Sequence, residues 1–278
     1  MGPDFICIGG QRCGTTWLYH ALRCAPAVWT PPVKELHHFD VGAQGVEVWP
    51  YRYRRHLRSR AAHYAGRLAG RRDAIVDPLW DARYFLGRRS DDWYAALFAR
   101  ARARGQVAGE ITPAYSILPE ATVARVAARF PDAKILLILR DPLARAWSNA
   151  MREPGLDPRD EQAVIAHLRS PGCVARSDWP AIVARWRRHF PRSRMLLAAF
   201  EQIREDRRAF LARIGAFLGA PIPDPGVERD RRKTGASTWR RGPPPAHVVE
   251  AVRDIYDPIA EASAELMREA RAEVRIKP

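Results

Sequence analysis

The six residues Lys134–Leu139, which read KILLIL, constrain the fold more than any other part of the chain. A short run rich in Leu and Ile is typical of a strand buried on both faces, as in the middle of a parallel sheet. Similar runs predict strands at Phe5–Ile8, Ala27–Trp29, Gln106–Gly109 and Met195–Phe200. Helical patterns begin near Thr15, Glu120, Pro142, Arg207 and Ala246. Because parallel neighbours need crossover helices, this alternation predicts an α/β fold with a central parallel β-sheet flanked by helices.

The predicted organisation is a single P-loop-like domain over residues 1–278. A helical insertion is expected at about 42–105, with helices near 51–68 and 92–104, and a variable loop at about 153–178. One long closing helix is expected over 246–271. The hydroxyls of Thr15 and Thr16 are expected to cap the helix that follows the first strand.

The charge of the chain is strongly basic, with 46 Lys and Arg against 31 Asp and Glu and a formal net charge of +15. Only four of the basic residues are lysines, so 42 are arginines. Such a ratio is typical of an arginine-rich genome and by itself gives no reason to expect a nucleic-acid partner. The charge still predicts anionic ligands.

The four cysteines show no C-x-x-C spacing, and no charged and apolar leader precedes the strand at Phe5. Both features favour the reducing cytoplasm. The apolar part of the central strand has five residues, far fewer than the ~20 that a membrane helix requires. No membrane span is therefore expected.

The strongest local motif is GGQRCGTTWL, which spans residues 9–18 where the first predicted strand ends and a helix begins. The free N–H groups and dipole of a helix start suit a phosphate or another tetrahedral oxyanion. Lys is absent from the place it holds in the ATPase loop, and no G-x-G-x-x-G is present. An ordinary helix cap and turn is the alternative for this segment alone. The predicted cofactor-binding residues here are Arg12, Cys13, Gly14, Thr15, Thr16 and Trp17.

A second motif, LILRDPLARAWSNAM, follows the central strand over residues 137–151. Arg140 lies at the carboxyl end of the strand, where open α/β sheets bind ligands. Ser148 follows eight residues later, about two helical turns on, so both side chains can reach one anion. A surface arginine and a solvent-facing serine would be the interpretation if these residues stood alone.

Together the two motifs resemble the sulfotransferases that use 3'-phosphoadenosine 5'-phosphosulfate (PAPS). In that family a K/R-x-G-T-T-x-L segment holds the 5'-phosphosulfate, and a later L-R-D-P-x-x-R-x-x-S segment holds the 3'-phosphate. The matching residues are Arg12, Gly14, Thr15 and Thr16, and then Arg140, Asp141, Pro142, Arg145 and Ser148. The resemblance implies PAPS as sulfuryl donor, 3'-phosphoadenosine 5'-phosphate (PAP) as product, and no metal.

Two further segments are similar to the branch that includes heparan sulfate sulfotransferases and bacterial relatives. Its N-E-V-H-F-F-D segment, in which the Glu is taken as catalytic base, appears here as KELHHFD over residues 34–40. The resemblance implies Glu35 as base, His37 or His38 as its assistant, and Arg12 as the group that stabilises the leaving phosphate. The branch's E-K-T-P-A-Y appears as EITPAY, with Ile111 in place of a Lys associated with substrate or sulfonate contact. This departure argues against a heparan-like acceptor.

Members of the family also carry a basic, glycine-containing loop that closes over the nucleotide before a final helix. Residues 233–242 are similar in composition and place, which implies Arg241 and Gly242 as nucleotide contacts. The acceptor is expected to be a small molecule or a glycan that is sulfated on a hydroxyl or an amine. Tyr115, Trp80 and Trp93 are candidates to line its site, although aromatic side chains more often belong to the core.

Two other functions compete with this one. A nucleotide-dependent kinase or NTPase would have a similar sheet and phosphate loop, but the Lys after Gly14 and a Walker-B type acid are both missing. An arginine-rich nucleic-acid-binding protein would bind strands in a salt-dependent way without nucleotide preference.

Overall fold

The central sheet is parallel, as the alternation of strands and helices predicts. The structure is a computed structural model that describes residues 2–40, 49–71, 76–226 and 242–272. Within these ranges five strands pair in the order β2-β3-β1-β4-β5, all in parallel. The strands are β1 (Phe5–Gly9), β2 (Val28–Trp29), β3 (Val107–Ile111), β4 (Lys134–Leu139) and β5 (Met195–Ala199).

The middle of the sheet is formed by β1 and β4, which pair with each other and with a further strand on the opposite side. Every residue of β1 is buried, and only Lys134 of β4 is partly exposed. Fully burying a Leu or Ile side chain contributes about 1.5–3 kcal/mol, so the run after Lys134 is a large part of the core. Burial on both faces explains why these strands lack an alternating polar pattern.

Helices cover the sheet and connect its strands. In the first half of the chain they are α1 (Thr15–Leu22), α2 (Trp49–Leu68), α3 (Pro78–Leu86), α4 (Asp91–Arg102) and α5 (Glu120–Arg129). In the second half they are α6 (Pro142–Ala150), α7 (Glu161–Arg169), α8 (Pro171–Ala175), α9 (Trp179–Arg187), α10 (Gln202–Glu205), α11 (Arg207–Leu218), α12 (Ala246–Ala251) and α13 (Arg253–Arg271). None of the helices in the described ranges combines the length and the hydropathy needed to cross a bilayer.

The predicted insertion contains α2 and α4 near their expected positions, together with α3, which the sequence analysis missed. Asp77 caps α3 by accepting a hydrogen bond from the Trp80 N–H. A buried bidentate ion pair joins α2 to α3, since Arg60 Nε lies 2.7 Å from Asp81 Oδ1 and Arg60 Nη2 lies 2.9 Å from Oδ2. The insertion is therefore a packed helical unit.

Two helix predictions differ from the structure. The stretch 153–178, expected to be a loop, contains α7 and α8, whose first turns are capped by the side chains of Asp160 and Ser170. The closing helix is divided at Val252, whose backbone is not helical. Arg169 Nη1 donates to the Ala251 carbonyl at 2.7 Å, which satisfies an acceptor at the break.

Candidate active site

A cavity of about 600 Å³ lies at the edge where the carboxyl ends of the strands meet. The loop after each of the five described strands contributes to its lining; the contributors are Arg12, Glu35, Pro113, Arg140 and Phe200. The strands β2 and β3 lie on one side of β1, whereas β4 and β5 lie on the other, so the strand order switches between β1 and β4. Open α/β sheets bind ligands at such a switch point. The volume falls within the roughly 300–1,000 Å³ range of small-molecule sites.

The loop after β1 reaches the cavity through a glycine that no other residue can replace without strain. Gly14 has a left-handed φ of 80°, and a Cβ at this position would lie 2.7 Å from Ile203 Cδ1. Thr15 and Thr16 are the first residues of α1, and no side chain caps the helix, so the predicted threonine cap is wrong. The first N–H groups of α1 therefore have no capping side chain beside the cavity.

Arg12 connects the two predicted anion-binding motifs directly. Its Nε donates to the Ser148 carbonyl at 3.1 Å and lies 3.4 Å from Ser148 Oγ. Arg140 Nη1 donates in turn to the Arg12 carbonyl at 3.1 Å. Arg12 has a left-handed φ of 68°, a conformation that costs a non-glycine residue about 1–2 kcal/mol. These hydrogen bonds hold the strained turn and bring both motifs to one cavity.

The arginines of the cavity form a concentrated positive charge. Burial, together with the charges of Arg152 and Arg140, lowers the pKa of Arg12 to about 10. Burial also lowers the pKa of Arg140. Within the described residues neither Arg12 nor Arg140 forms a salt bridge with a carboxylate. Partly buried cations without a carboxylate partner form a site for an anionic ligand.

The other predicted cofactor-binding residues fall into two groups. Thr15, Thr16, Trp17 and Gly242 line the cavity, and the Gly242 carbonyl accepts a 3.1 Å hydrogen bond from Trp147 Nε1 of α6. Cys13 is fully buried and does not line the cavity, and its N–H donates to the Gly10 carbonyl. Arg241 lies outside the described residues.

Glu35 also lines the cavity and is surrounded by cations. Lys34 Nζ donates to Glu35 Oε1 at 2.6 Å, and Arg52 Nη1 from α2 donates to Oε2 at 3.1 Å. Burial by itself raises the pKa of Glu35, but Lys34, His37 and Arg52 outweigh burial and hold this pKa well below its usual range. Glu35 is therefore ionised at neutral pH.

His37 lies between two carboxylates. Its Nδ1 donates to Asp40 Oδ2 at 2.5 Å, and its Nε2 lies 3.5 Å from Glu35 Oε2. Burial alone lowers the pKa of His37, but Asp40 and then Glu35 outweigh burial and raise it. The three side chains form a carboxylate–imidazole–carboxylate series that ends at the cavity.

His38 turns away from this series. Its Nε2 donates to Asp91 at 2.8 Å and its ring stacks on Tyr94 at 4.7 Å between centroids. Burial lowers the pKa of His38 to about 4, so the ring is neutral at physiological pH. Of the two histidines that the sequence offers as assistants of Glu35, the structure brings only His37 to it.

The loop that carries Glu35 is held through its backbone by four side chains. Glu35 and His37 have left-handed φ values of 67° and 51°. The Leu36 N–H donates to Glu110 Oε2 at 3.3 Å, and the His38 N–H donates to the Tyr115 hydroxyl at 2.8 Å. Arg89 Nη2 donates to the His37 carbonyl at 3.0 Å, and His56 Nε2 donates to the Lys34 carbonyl at 3.0 Å. These contacts stabilise a backbone conformation that is otherwise unfavourable.

Glu110 is the buried centre of this arrangement. It accepts hydrogen bonds at 2.6 Å from both the Thr112 and the Tyr94 hydroxyls, and one at 3.1 Å from Tyr115. Burial raises the pKa of Glu110, and the hydrogen bonds offset only part of that effect. Since Glu110 does not line the cavity, it positions the loop and has no access to a ligand.

Several residues have roles that the sequence did not reveal. Trp80, Trp93 and Tyr115, candidates for the acceptor site, are core residues. Arg145, part of the second motif, is fully buried and donates to Ser177 Oγ at 2.7 Å and to the Cys173 carbonyl at 2.9 Å. The sequence analysis missed Asp40, Arg52, Arg152 and Glu110 as site residues. Asp40 and Glu110 had an available signal, since Asp40 is the last residue of the quoted KELHHFD segment and Glu110 the first of EITPAY.

Comparison with known proteins identifies sequence relatives. A model of the sulfotransferase family matches residues 3–224. Heparan sulfate glucosamine 3-O-sulfotransferase 3B1 of Mus musculus is 33% identical over 137 residues, which are 46% of this chain and 34% of that protein. Heparan sulfate glucosamine 3-O-sulfotransferase 6 of Homo sapiens is 31% identical over 139 residues, which are 46% of this chain and 39% of that protein. The chain thus spans well under half the length of these curated relatives.

Solved structures resemble this fold over almost the whole chain. A sulfotransferase from Alicyclobacillus acidocaldarius superposes with a TM-score of 0.60 and 22% identity, covering 97% of each chain. The sulfotransferase domain of the Synechococcus PCC 7002 olefin synthase gives a TM-score of 0.58 and 16% identity, covering 95% of this chain and 94% of that one. At these identities the likeness concerns the fold.

Proposed function

Since the chain belongs to the sulfotransferase family and is a sulfotransferase, we propose that it transfers the sulfuryl group of PAPS to a hydroxyl or amine of its acceptor. The observation that carries this proposal is the hydrogen-bonded connection from Arg140 through Arg12 to Ser148, in the cavity that Glu35 also lines. PAPS has one anionic group at its 3' position and another at its 5' position, and this cavity offers cations from two separate loops.

The residues present fit such a nucleotide. Arg140 and Ser148 are the proposed partners of the 3'-phosphate, and Arg152 also lines the cavity. Arg12 and the first N–H groups of α1 are the proposed partners of the 5'-phosphosulfate. Phe200, whose ring lies 4.6 Å below the Arg140 guanidinium, supplies an apolar wall. The nucleotide-binding roles of Gly242 and Arg241 remain part of the proposal.

When bound, PAPS supplies the sulfuryl group and a phosphate as leaving group. The proposed transfer is in line, with the acceptor oxygen or nitrogen opposite the leaving oxygen, so positioning and charge stabilisation dominate. Arg12 and the α1 N–H groups stabilise the charge that grows on the phosphate, and preorganised donors of this kind contribute about 3–4 kcal/mol each. None of these steps needs a metal.

Glu35 is the proposed general base because it is the one carboxylate among the described residues that line the cavity. Accepting the proton of the acceptor group accelerates transfer by about 10² to 10⁴. His37, held in one tautomer by Asp40, is the proposed positioning residue that orients Glu35 Oε2. Glu110, whose Oε2 accepts the Leu36 N–H of this loop, is buried and does not line the cavity, which argues against that role for it.

The acceptor is proposed to be a glycan or a small molecule. The similar curated proteins are named for heparan sulfate glucosamine, which supports a glycan. Ile111 is buried and does not line the cavity, so the position that carries a Lys in the related branch contributes no charge here. An acceptor less anionic than heparan sulfate is therefore proposed. The cytoplasmic location stays a prediction, and the four cysteines are free thiols.

Titration calorimetry of PAP and of ATP, each with and without Mg²⁺, tests the nucleotide assignment. The proposal expects PAP to bind without Mg²⁺ and ATP to bind weakly. Mg²⁺-dependent ATP binding would support a kinase or NTPase, and tight binding of duplex or single-stranded nucleic acid without PAP binding would support a nucleic-acid-binding protein. Incubation with labelled PAPS and acceptor pools, followed by mass spectrometry, then tests sulfuryl transfer.

A further inference from the structure

Lys34 is the cavity cation closest to the proposed base, and its position raises a chemical difficulty. Its ammonium lies 2.6 Å from Glu35 Oε1. A carboxylate oxygen that already accepts a charge-assisted hydrogen bond at this distance is a poor acceptor for a further proton. Glu35 would therefore be a stronger base if the ammonium left that oxygen.

The two oxygens of Glu35 have different partners. Oε2 is shared by Arg52 Nη1 at 3.1 Å and His37 Nε2 at 3.5 Å. Among the described residues Oε1 has a single partner, which is Lys34. Displacement of one ammonium therefore opens Oε1, whereas Oε2 keeps its hydrogen bond from Arg52 and the His37 ring beside it.

Lys34 has the donors and the freedom needed for such a displacement. An ammonium carries three N–H donors, and within the described ranges the Lys34 ammonium has one acceptor, Glu35. The side chain lines the cavity, and its backbone is fixed because His56 Nε2 donates to the Lys34 carbonyl at 3.0 Å. Pro31 and Pro32 precede it and restrict the backbone further. The side chain can turn without movement of the loop.

A sulfonate in this cavity would compete for that ammonium. The reacting sulfur must lie within reach of an acceptor atom that is itself hydrogen-bonded to Glu35. An ammonium that lies 2.6 Å from Oε1 would therefore need only a side-chain rotation to meet a sulfonate bound there. Arg140 is assigned to the 3'-phosphate and Arg12, which is hydrogen-bonded to Ser148, to the charge on the leaving phosphate, so the far oxygens of the sulfonate still need a cation.

We infer that Lys34 is a two-position residue whose ammonium covers Glu35 Oε1 until a donor sulfonate enters the cavity, and then binds the sulfonate and leaves Oε1 open to the acceptor. This inference rests on the proposed function. Lys34 is then the residue that distinguishes PAPS from PAP, because it binds the sulfonate that PAP lacks. Glu35 becomes an effective base only when PAPS is present.

Calorimetry with PAPS and PAP tests this inference, because the two nucleotides differ only by the sulfonate. The variant Lys34→Met is expected to lower PAPS affinity about tenfold, the size of one charge-assisted hydrogen bond, and to leave PAP affinity within about twofold. Lys34→Arg should restore part of the PAPS affinity. Arg52→Met is the matched control, since it removes the other cation on Glu35 but does not line the cavity, and it should leave the ratio of the two affinities unchanged.

Carboxyl ¹³C NMR of Glu35 gives a second readout that does not depend on turnover. The groups that face this carboxylate are Lys34, Arg52 and His37, with Asp40 behind the imidazole. PAPS, but not PAP, is expected to shift the Glu35 titration to higher pH, and Lys34→Met is expected to abolish that difference.

The role of Lys34 and the proposed function would be contradicted by different results. If wild-type protein binds PAP, and Lys34→Met weakens PAPS and PAP equally or changes neither, the role of Lys34 is wrong and the proposed function stands. If wild-type protein binds neither nucleotide, both are wrong.

Discussion

Arg140 Nη1 donates a hydrogen bond to the Arg12 carbonyl at 3.1 Å, joining two loops that are 128 residues apart in the chain. The backbone carbonyl of Arg140 accepts a 2.7 Å hydrogen bond from Trp179 Nε1 of α9. The turn that presents Arg12 is thus fixed from the neighbouring strand β4. Preorganisation of this kind reduces the entropy lost when a ligand binds.

Arg140→Ala is expected to weaken PAP binding by about 10- to 100-fold, because it removes a charge-assisted contact and the support of Arg12. Calorimetry measures the loss. Arg159→Ala is the control, since the Arg159 side chain is 91% exposed and pairs only with nearby Asp157 in the described structure. Equal PAP affinity in the Arg140 variant and the wild type would contradict the assignment.

Glu35→Gln is expected to lower kcat by about 10² to 10⁴ while PAP affinity stays near that of the wild type, since an amide cannot accept the acceptor's proton. Single-turnover assays with an identified acceptor measure the rate, and PAP binding verifies the fold. Glu261→Gln is the matched control, since Glu261 lies on the exposed face of α13, and this variant should keep the wild-type kcat. A near-normal kcat in the Glu35 variant would remove Glu35 as the base.

Asp40→Asn is expected to lower the pKa of His37, because Asp40 is the main group that raises it. A histidine whose folded pKa is raised stabilises the fold below its unfolded pKa of about 6.5, and this contribution is lost as the pH rises through the folded value. The difference in unfolding free energy between wild type and variant should therefore be larger at about pH 5.5 than at about pH 9.

Urea unfolding at both pH values measures this difference, and imidazole NMR reports the His37 titration directly. In a His37→Gln background the Asp40 substitution should have the same effect at both pH values. A pH-independent loss in the otherwise wild-type protein would show that Asp40 does not act through His37.

Gly14→Ala is expected to destabilise the fold by about 2–5 kcal/mol, because it adds a clash with Ile203 to the cost of a left-handed residue. Gly155→Ala is the control, since Gly155 has a similar φ of 84° but open space around its Cβ position. Its cost should be about 1–2 kcal/mol. Thermal or urea unfolding compares them, and equal losses would mean that close packing at Gly14 is unimportant.

Local patterns predicted the strands and the starts of the anion-binding loops, since these depend on short apolar runs and on glycines at strand ends. They failed for α3, α7 and α8 because helices of nine, nine and five residues are too short to show a clear helical period in sequence. They also failed for Trp80, Trp93 and Tyr115, whose aromatic rings fit a core and a binding site equally well.

The sequence by itself determined a parallel α/β sheet, the two motifs at the ends of β1 and β4, and Glu35 as the candidate base. Each of these depends on residues close together in the chain. Only the tertiary structure decided which charges surround Glu35, because Arg52 comes from α2 and Glu110, which holds the loop, comes from β3. A carboxylate's protonation depends on burial and on charges within a few ångströms, and those distances are set by packing between segments that are remote in sequence.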